Sequence, residues 1–92
     1  MTYKISFKEL AFIHLAALRK NDKNTYIKCF DMLLAIATDP RNGIGKPERM
    51  KGYGEEEVYS RRLNDKDRLV YLVNEEKETI EIIACKGHYD DK

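Results

Sequence analysis

Five consecutive apolar residues, Leu69-Val70-Tyr71-Leu72-Val73, lie between two strongly polar stretches, Leu63-Asn64-Asp65-Lys66-Asp67 and Asn74-Glu75-Glu76-Lys77-Glu78. Along a strand, successive side chains point to opposite faces, so a run that is apolar at every position must be covered on both. That makes 68–74 a central strand. Strand candidates flank it at 57–63 and 79–86, each joined to it by one of the polar turns. Strands linked so closely form an antiparallel meander.

The upstream half supplies a cover. Residues 3–7 alternate and read as a short first strand. From 7 to 20 the spacing becomes helical, with Leu10, Ile13, Ala17 and Leu18 on one stripe. Ser6 followed three residues later by Glu9 reads as a capping box. Asn21-Asp22 breaks this helix, and Asp22 or Asn24 caps a second one over 23–38. Its stripe is Tyr26, Phe30, Leu33, Leu34 and Ala37. Asp39-Pro40 ends it, because the residue before proline avoids helical geometry. A break this short makes an antiparallel helical hairpin. Residues 39–54 hold Gly43, Gly45, Pro47, Gly52 and Gly54 and read as loop. The order β-α-α-β-β-β predicts an α+β fold: an N-terminal strand, then a two-helix hairpin packed on one face of a mainly antiparallel sheet.

A chain of 92 residues, 42% hydrophobic, suffices for a single domain over 1–92 with a small core. Its 17 Lys+Arg and 16 Asp+Glu leave a net charge of +1, so any nucleic-acid contact must come from local clustering of cations. Cys29 and Cys85 each sit in an apolar run and read as small buried hydrophobes. No disulfide framework and no metal-type Cys/His spacing is present, so neither a metal nor another cofactor is expected. No apolar run approaches the length of a membrane span. The opening MTYKISFKEL has no apolar secretory core, and the expected location is cytoplasmic.

The chemistry-bearing residues fall in the second half. Lys46, Arg49 and Lys51 surround Glu48; Ser60-Arg61-Arg62 lies on a strand; Arg68 opens the central strand; His88-Tyr89 follows the last strand. Each has an ordinary reading as well: a solvated carboxylate, a strand-edge arginine pair, an exposed histidine, an aromatic at the core margin. Strand parity groups Ile80, Ile82, Ala84, Lys86 and His88 on one face, and sets Val58, Ser60 and Arg62 opposite Tyr59, Arg61 and Leu63. Which of Arg61 and Arg62 faces a site stays open, because one bulge reverses parity. A wet sheet face bearing Arg, Lys and His is a natural floor for single-stranded nucleic acid.

The runs GIGKPERMKGYG, VYSRRLNDKDRLVYLV and IIACKGHYDDK together resemble the YoeB/Txe toxins of the RelE/ParE superfamily, the toxic halves of bacterial toxin–antitoxin pairs. The resemblance spans roughly residues 43–89. It implies a RelE-like microbial ribonuclease fold and a ribosome-dependent endoribonuclease that cuts mRNA in the ribosomal A site. By the same resemblance, Glu48 is the general base, Arg68 the catalytic arginine and His88 the general acid, with Tyr89 beside it. Lys46, Lys51 and Arg62 are supporting RNA-binding positions, and no metal takes part. The products are 2′,3′-cyclic phosphates, and the partners are the ribosome, a YefM-type antitoxin and, in a homodimer, a second copy. The chain departs from the family pattern at Tyr59, where a tryptophan often precedes SRR, and at Glu55-Glu56-Glu57, whose charge lowers the local positive potential. Two alternatives remain at this point: a ParE-like binder of DNA gyrase, and an RNA-binding module that does not cleave. Neither needs the Glu48/Arg68/His88 set.

Overall fold

The structure, a computed structural model, describes residues 2–87. Its elements are β1 (Lys4–Phe7), α1 (Glu9–Asn21), α2 (Lys23–Thr38), β2 (Glu48–Arg49), β3 (Glu57–Arg62), β4 (Arg68–Asn74) and β5 (Thr79–Ala84). They form one five-stranded sheet in the order β1-β5-β4-β3-β2. β4 occupies the centre, as its unbroken apolar run requires. β3, β4 and β5 are antiparallel neighbours, while β1 runs parallel to β5. The two helices carry the chain from β1 at one edge of the sheet to β2 at the other and cover one face of it. No helix among the described residues is long and apolar enough to cross a membrane.

Under the helices lies the main core, built from Leu18, Cys29, Met32 and Ile36 against Leu63, Leu69, Tyr71, Ile80 and Ile82. Both cysteines are buried there as free thiols. The opposite face carries a smaller cluster of Met50, Val58, Val70 and Ala84, with Leu72 and Ile83 beside it.

Four local expectations fail. The Ser6/Glu9 capping box does not form: Ser6 stays in the ladder opposite Glu81, and Lys8 occupies the N-cap with no side-chain cap. The strand wins because the Lys8 N–H still bonds the Ile82 carbonyl at 2.9 Å, which keeps this segment extended up to the helix. The stripe of α1 is also rotated. Ala11 and Leu18 are buried, whereas Leu10 and Ile13 are 44% and 58% exposed. The small Ala11 lets α1 close on the sheet, and the inward polar position is taken by His14, whose Nδ1 accepts the Cys85 N–H.

In α2 the buried set is Thr25, Cys29, Met32, Leu33 and Ile36, and Phe30 and Leu34 face outward. Thr25 can be buried because its hydroxyl is satisfied: it donates to Asp22 Oδ2 at 2.8 Å and accepts from Asn64 Nδ2 at 2.8 Å. Asp22 caps α2 as expected, taking the Thr25 N–H on Oδ1 at 3.2 Å.

The common face expected for Ile80, Ile82, Ala84, Lys86 and His88 is broken as well. Tyr71 pairs with Ile82 but Val70 pairs with Ala84, so Ile83 is an extra residue in the ladder. Ile80 and Ile82 face the helices and Ala84 faces away.

Candidate active site

The loop 39–47 and the two-residue strand β2 carry Glu48 onto the edge of the sheet, in a stretch that sequence reading assigned to loop. Glu48 pairs with Ser60 and Arg49 with Tyr59. The loop is held from below by Arg61, which is fully buried and points under the helices with Tyr59 and Leu63. Its guanidinium donates to the carbonyls of Ile44 (3.1 Å), Asp39 (2.6 Å) and Asn42 (3.0 Å) and to the Tyr71 hydroxyl (3.0 Å). Burial pushes the Tyr71 hydroxyl above its usual pKa, and the Arg61 charge pulls the other way. That hydroxyl in turn donates to the Pro40 carbonyl at 2.5 Å.

Gly45 passes directly over this core. A Cβ there would sit 2.7 Å from Met32 Cε and 3.0 Å from Arg61 Cβ, and its φ of +83° favours glycine independently. Lys46 follows at φ +51°, a left-handed conformation that a lysine adopts at some cost. The Gly45 carbonyl accepts the Arg62 N–H at 2.7 Å and so fastens the loop to β3.

On the open face these constraints bring Glu48 and Arg68 together. Arg68 Nε donates to Ser60 Oγ at 3.1 Å, and Arg68 Nη2 lies 4.0 Å from Glu48 Oε2. Ser60 is buried and fixes the plane of the guanidinium. The Arg68 side chain is 15% exposed and that of Glu48 is 65% exposed, so one is held in the sheet and the other stands at its rim. Arg68 Nη1 bonds to none of the described residues. The pair is loose, and an incoming anion can slip between a clamped arginine and an accessible carboxylate.

Arg62 is exposed on the same face and lies directly opposite Arg68 in the ladder. Like charges facing each other across a ladder are destabilising, and a bound anion relieves them. Lys46 lies at the Arg62 end of Glu48, while Lys51 lies at the other end, where Met50 N–H bonds the Val58 carbonyl. His88 and Tyr89 lie outside the described residues.

Two features raised by the sequence turn out to face elsewhere. Tyr59 packs on the helix side, stacked 5.8 Å from the Tyr71 ring, with the Arg49 guanidinium 5.9 Å from its own ring centroid, so it adds nothing to the open face. Glu57 is taken by Arg41 in a two-pronged pair (2.6 and 3.0 Å), which holds its carboxyl below the usual pKa. One member of the acidic triplet is thereby neutralised away from the site. Sequence reading missed Ser60 as the rest for Arg68 and Arg61 as the support of the loop. The signal was present in the serine–arginine–arginine run, where alternation forces the two arginines to opposite faces.

The chain is similar to known proteins along most of its length. Residues 7–89 match the family model described as the YoeB-like toxin of bacterial type II toxin–antitoxin systems. The chain is 39% identical over 90 residues to the toxin YoeB of Synechocystis sp., covering 94% of this chain and 96% of that one. The structure of a YoeB dimer from Staphylococcus aureus superposes with a TM-score of 0.84 at 37% identity, over 97% of this chain and all of that one. A YoeB toxin in a heterotetrameric YoeB–YefM complex from the same organism superposes at 0.78, with 37% identity, 97% of this chain and 100% of that one covered. The chain belongs to the YoeB-like toxins of type II toxin–antitoxin systems, within the RelE superfamily.

Proposed function

We propose that this toxin is a ribosome-dependent endoribonuclease that cuts mRNA by acid–base chemistry at Glu48, Arg68 and His88. The observation that supports it best is the meeting of Glu48 and Arg68 on the open sheet face. RNA carries its own nucleophile, the 2′-hydroxyl adjacent to each phosphodiester. Glu48 removes that proton. The oxygen attacks phosphorus, and Arg68 grips the phosphate oxygens as negative charge builds, the task for which a planar fork suits better than a point charge. His88 gives a proton to the departing 5′-oxygen. The bond to the 5′-oxygen breaks as the bond to the 2′-oxygen forms, which leaves a 2′,3′-cyclic phosphate and a 5′-hydroxyl. Tyr89 stacks on a base or orients the scissile group. Lys46, Lys51 and Arg62 hold flanking phosphates, and no metal or other cofactor enters the cycle.

The catalytic unit is the one domain spanning 1–92. It is too small for a deep groove that could orient a strand by itself, and orientation is the costly part of such a reaction. The ribosomal A site supplies the orientation, which places the action in the cytoplasm. Related YoeB chains are found in a dimer and with YefM. This chain has surface for such partners: Ile27, Phe30 and Leu34 on α2 and Ile44 in the loop are 49–68% exposed. Leu34 and Ile44 also line a hollow of about 440 Å³ between the end of α2 and the 39–44 loop, away from Glu48. A YefM-type antitoxin, acidic and partly disordered until bound, folds over the basic face and these apolar side chains.

The test is cleavage of a defined mRNA on programmed ribosomes, with the 5′-fragment ends read by mass spectrometry. Glu48→Gln and His88→Gln each lower the single-turnover rate by about 10²–10⁴-fold, the usual worth of a positioned proton-transfer group. Cleavage by the double variant at the parental rate, or 3′-ends without a cyclic phosphate, overturns the reading. Gyrase-linked DNA breaks with intact mRNA establish the ParE-like alternative instead.

A further inference from the structure

β5 ends at Ala84, and residues 85–87 leave the ladder. Their backbone groups are taken up by side chains and by the start of β4. The Cys85 N–H donates to His14 Nδ1 at 3.2 Å, and the Cys85 thiol rests on the Ala11 carbonyl at 3.6 Å. The Gly87 N–H donates to Asp67 Oδ1 at 2.9 Å, while the Gly87 carbonyl accepts the Arg68 N–H at 3.1 Å. Gly87 is thus bracketed by Asp67 and Arg68, two consecutive residues, and is itself followed directly by His88.

Asp67 is only 3% exposed. Its second oxygen accepts Asn64 Nδ2 at 3.0 Å, and Asn64 Oδ1 takes the N–H groups of Lys66 (2.8 Å) and Asp67 (2.7 Å). The carboxylate is therefore aimed by a turn that is itself tied to Thr25 of α2. None of the salt bridges among the described residues involves Asp67, and a buried carboxylate with neutral donors is expensive. The turn could be closed by an amide. What the carboxylate adds is a strong acceptor for the Gly87 N–H, 20 residues away in sequence.

We propose that Asp67 and His14 are positioning residues that pin the backbone at Gly87 and Cys85, and so set where the chain departs toward His88 relative to Arg68. The proposal rests on the nuclease reading, in which His88 is the general acid. An acid must lie within hydrogen-bond reach of the oxygen it protonates. A displacement of about 1 Å can cost about 10²-fold in rate. Neither residue touches the RNA. Both act through the peptide that leads to the acid.

The test compares paired variants of the full chain. Asp67→Ala and His14→Leu remove the acceptors, whereas Asp67→Asn and His14→Asn keep an oxygen where each N–H points. Asp67→Ala lowers the single-turnover cleavage rate on programmed ribosomes by about 10–100-fold, with half-saturation within about 3-fold of the parent, because transition-state geometry is lost and binding is not. Asp67→Asn restores most of the rate. Amide hydrogen exchange in the free chain supplies a readout that needs no cleavage: Gly87 loses protection in Asp67→Ala and keeps it in Asp67→Asn. If Asp67→Ala does not fold, the His14 pair runs the same contrast at Cys85. Unchanged protection at Gly87, or lost protection with a parental cleavage rate, overturns the proposal. A parent chain that does not cleave, while Gly87 still loses protection in Asp67→Ala, overturns the nuclease reading and leaves the anchor standing.

Discussion

Arg61 and Arg68 are both arginines of the central strands, yet the two faces of the sheet use them in opposite ways. Under the helices, Arg61 spends four of its five N–H donors on three backbone carbonyls and a tyrosine hydroxyl, and its full burial closes it to a ligand. On the open face, Arg68 spends Nε on Ser60 and approaches Glu48 only at 4.0 Å. The first is a bolt that shapes a loop. The second is oriented but, among the described residues, unsaturated, the state a phosphate clamp needs before its substrate arrives. Burial alone does not separate them, since both side chains are mostly enclosed; the count of satisfied donors does.

The same substitution at both positions sharpens this contrast. Arg61→Met leaves four acceptors without their donor, a loss of about 3–4 kcal/mol at roughly 1 kcal/mol for each hydrogen bond. Thermal unfolding should register it as a fall of about 15–30 °C for a domain of this size. Arg68→Met should shift that midpoint by less than about 5 °C. Its effect appears in single-turnover cleavage instead, as a loss of about 10²–10³-fold, similar to removal of a transition-state anion donor. If Arg68→Met unfolds the chain, or Arg61→Met leaves its stability untouched, the division between bolt and clamp fails.

A third and smaller effect belongs to His14. Its Nδ1 accepts the Cys85 N–H, so only the neutral ring can keep that bond. Burial lowers its pKa first, Lys86 lowers it further, and Asp67 pulls the other way. A histidine with a lowered folded pKa contributes stability that is present above its unfolded value of about 6.5 and is lost as pH falls through the folded value. Denaturant titrations across that window should show declining stability in the parent chain and a flatter profile in His14→Asn. Equal slopes would mean that the ring does not titrate against the Cys85 contact.

Much of this architecture follows from pattern alone. The apolar run of β4 demands a central position, and the polar turns on either side of it demand antiparallel neighbours. Pairing of Glu48 with Arg68 was available only through the family resemblance, because β2 is two residues long and sits in a glycine-rich stretch with no alternation to read. The rotated helix stripes failed for a different reason. Hydrophobicity ranks Leu10, Ile13, Phe30 and Leu34 as inward, but the core selects Ala11, His14, Thr25 and Cys29 for size and for the hydrogen bonds they can close at short range. Apolar residues left outside in this way are a property of a surface that other chains can cover. Spacing cannot tell them from core.

The extra residue at Ile83 works as a half-step in a gear train. Ahead of it, β5 offers Ile80 and Ile82 to the helices; behind it, Ala84 joins the opposite floor and Cys85 swings back beneath α1. Straighten the bulge with the sequence kept, and strict alternation would turn every later side chain to the other side, carrying Cys85 away from Ala11 and unseating the peptide that now rests on Asp67. A single surplus amino acid thus resets which positions of the chain, odd or even, mesh with the helices.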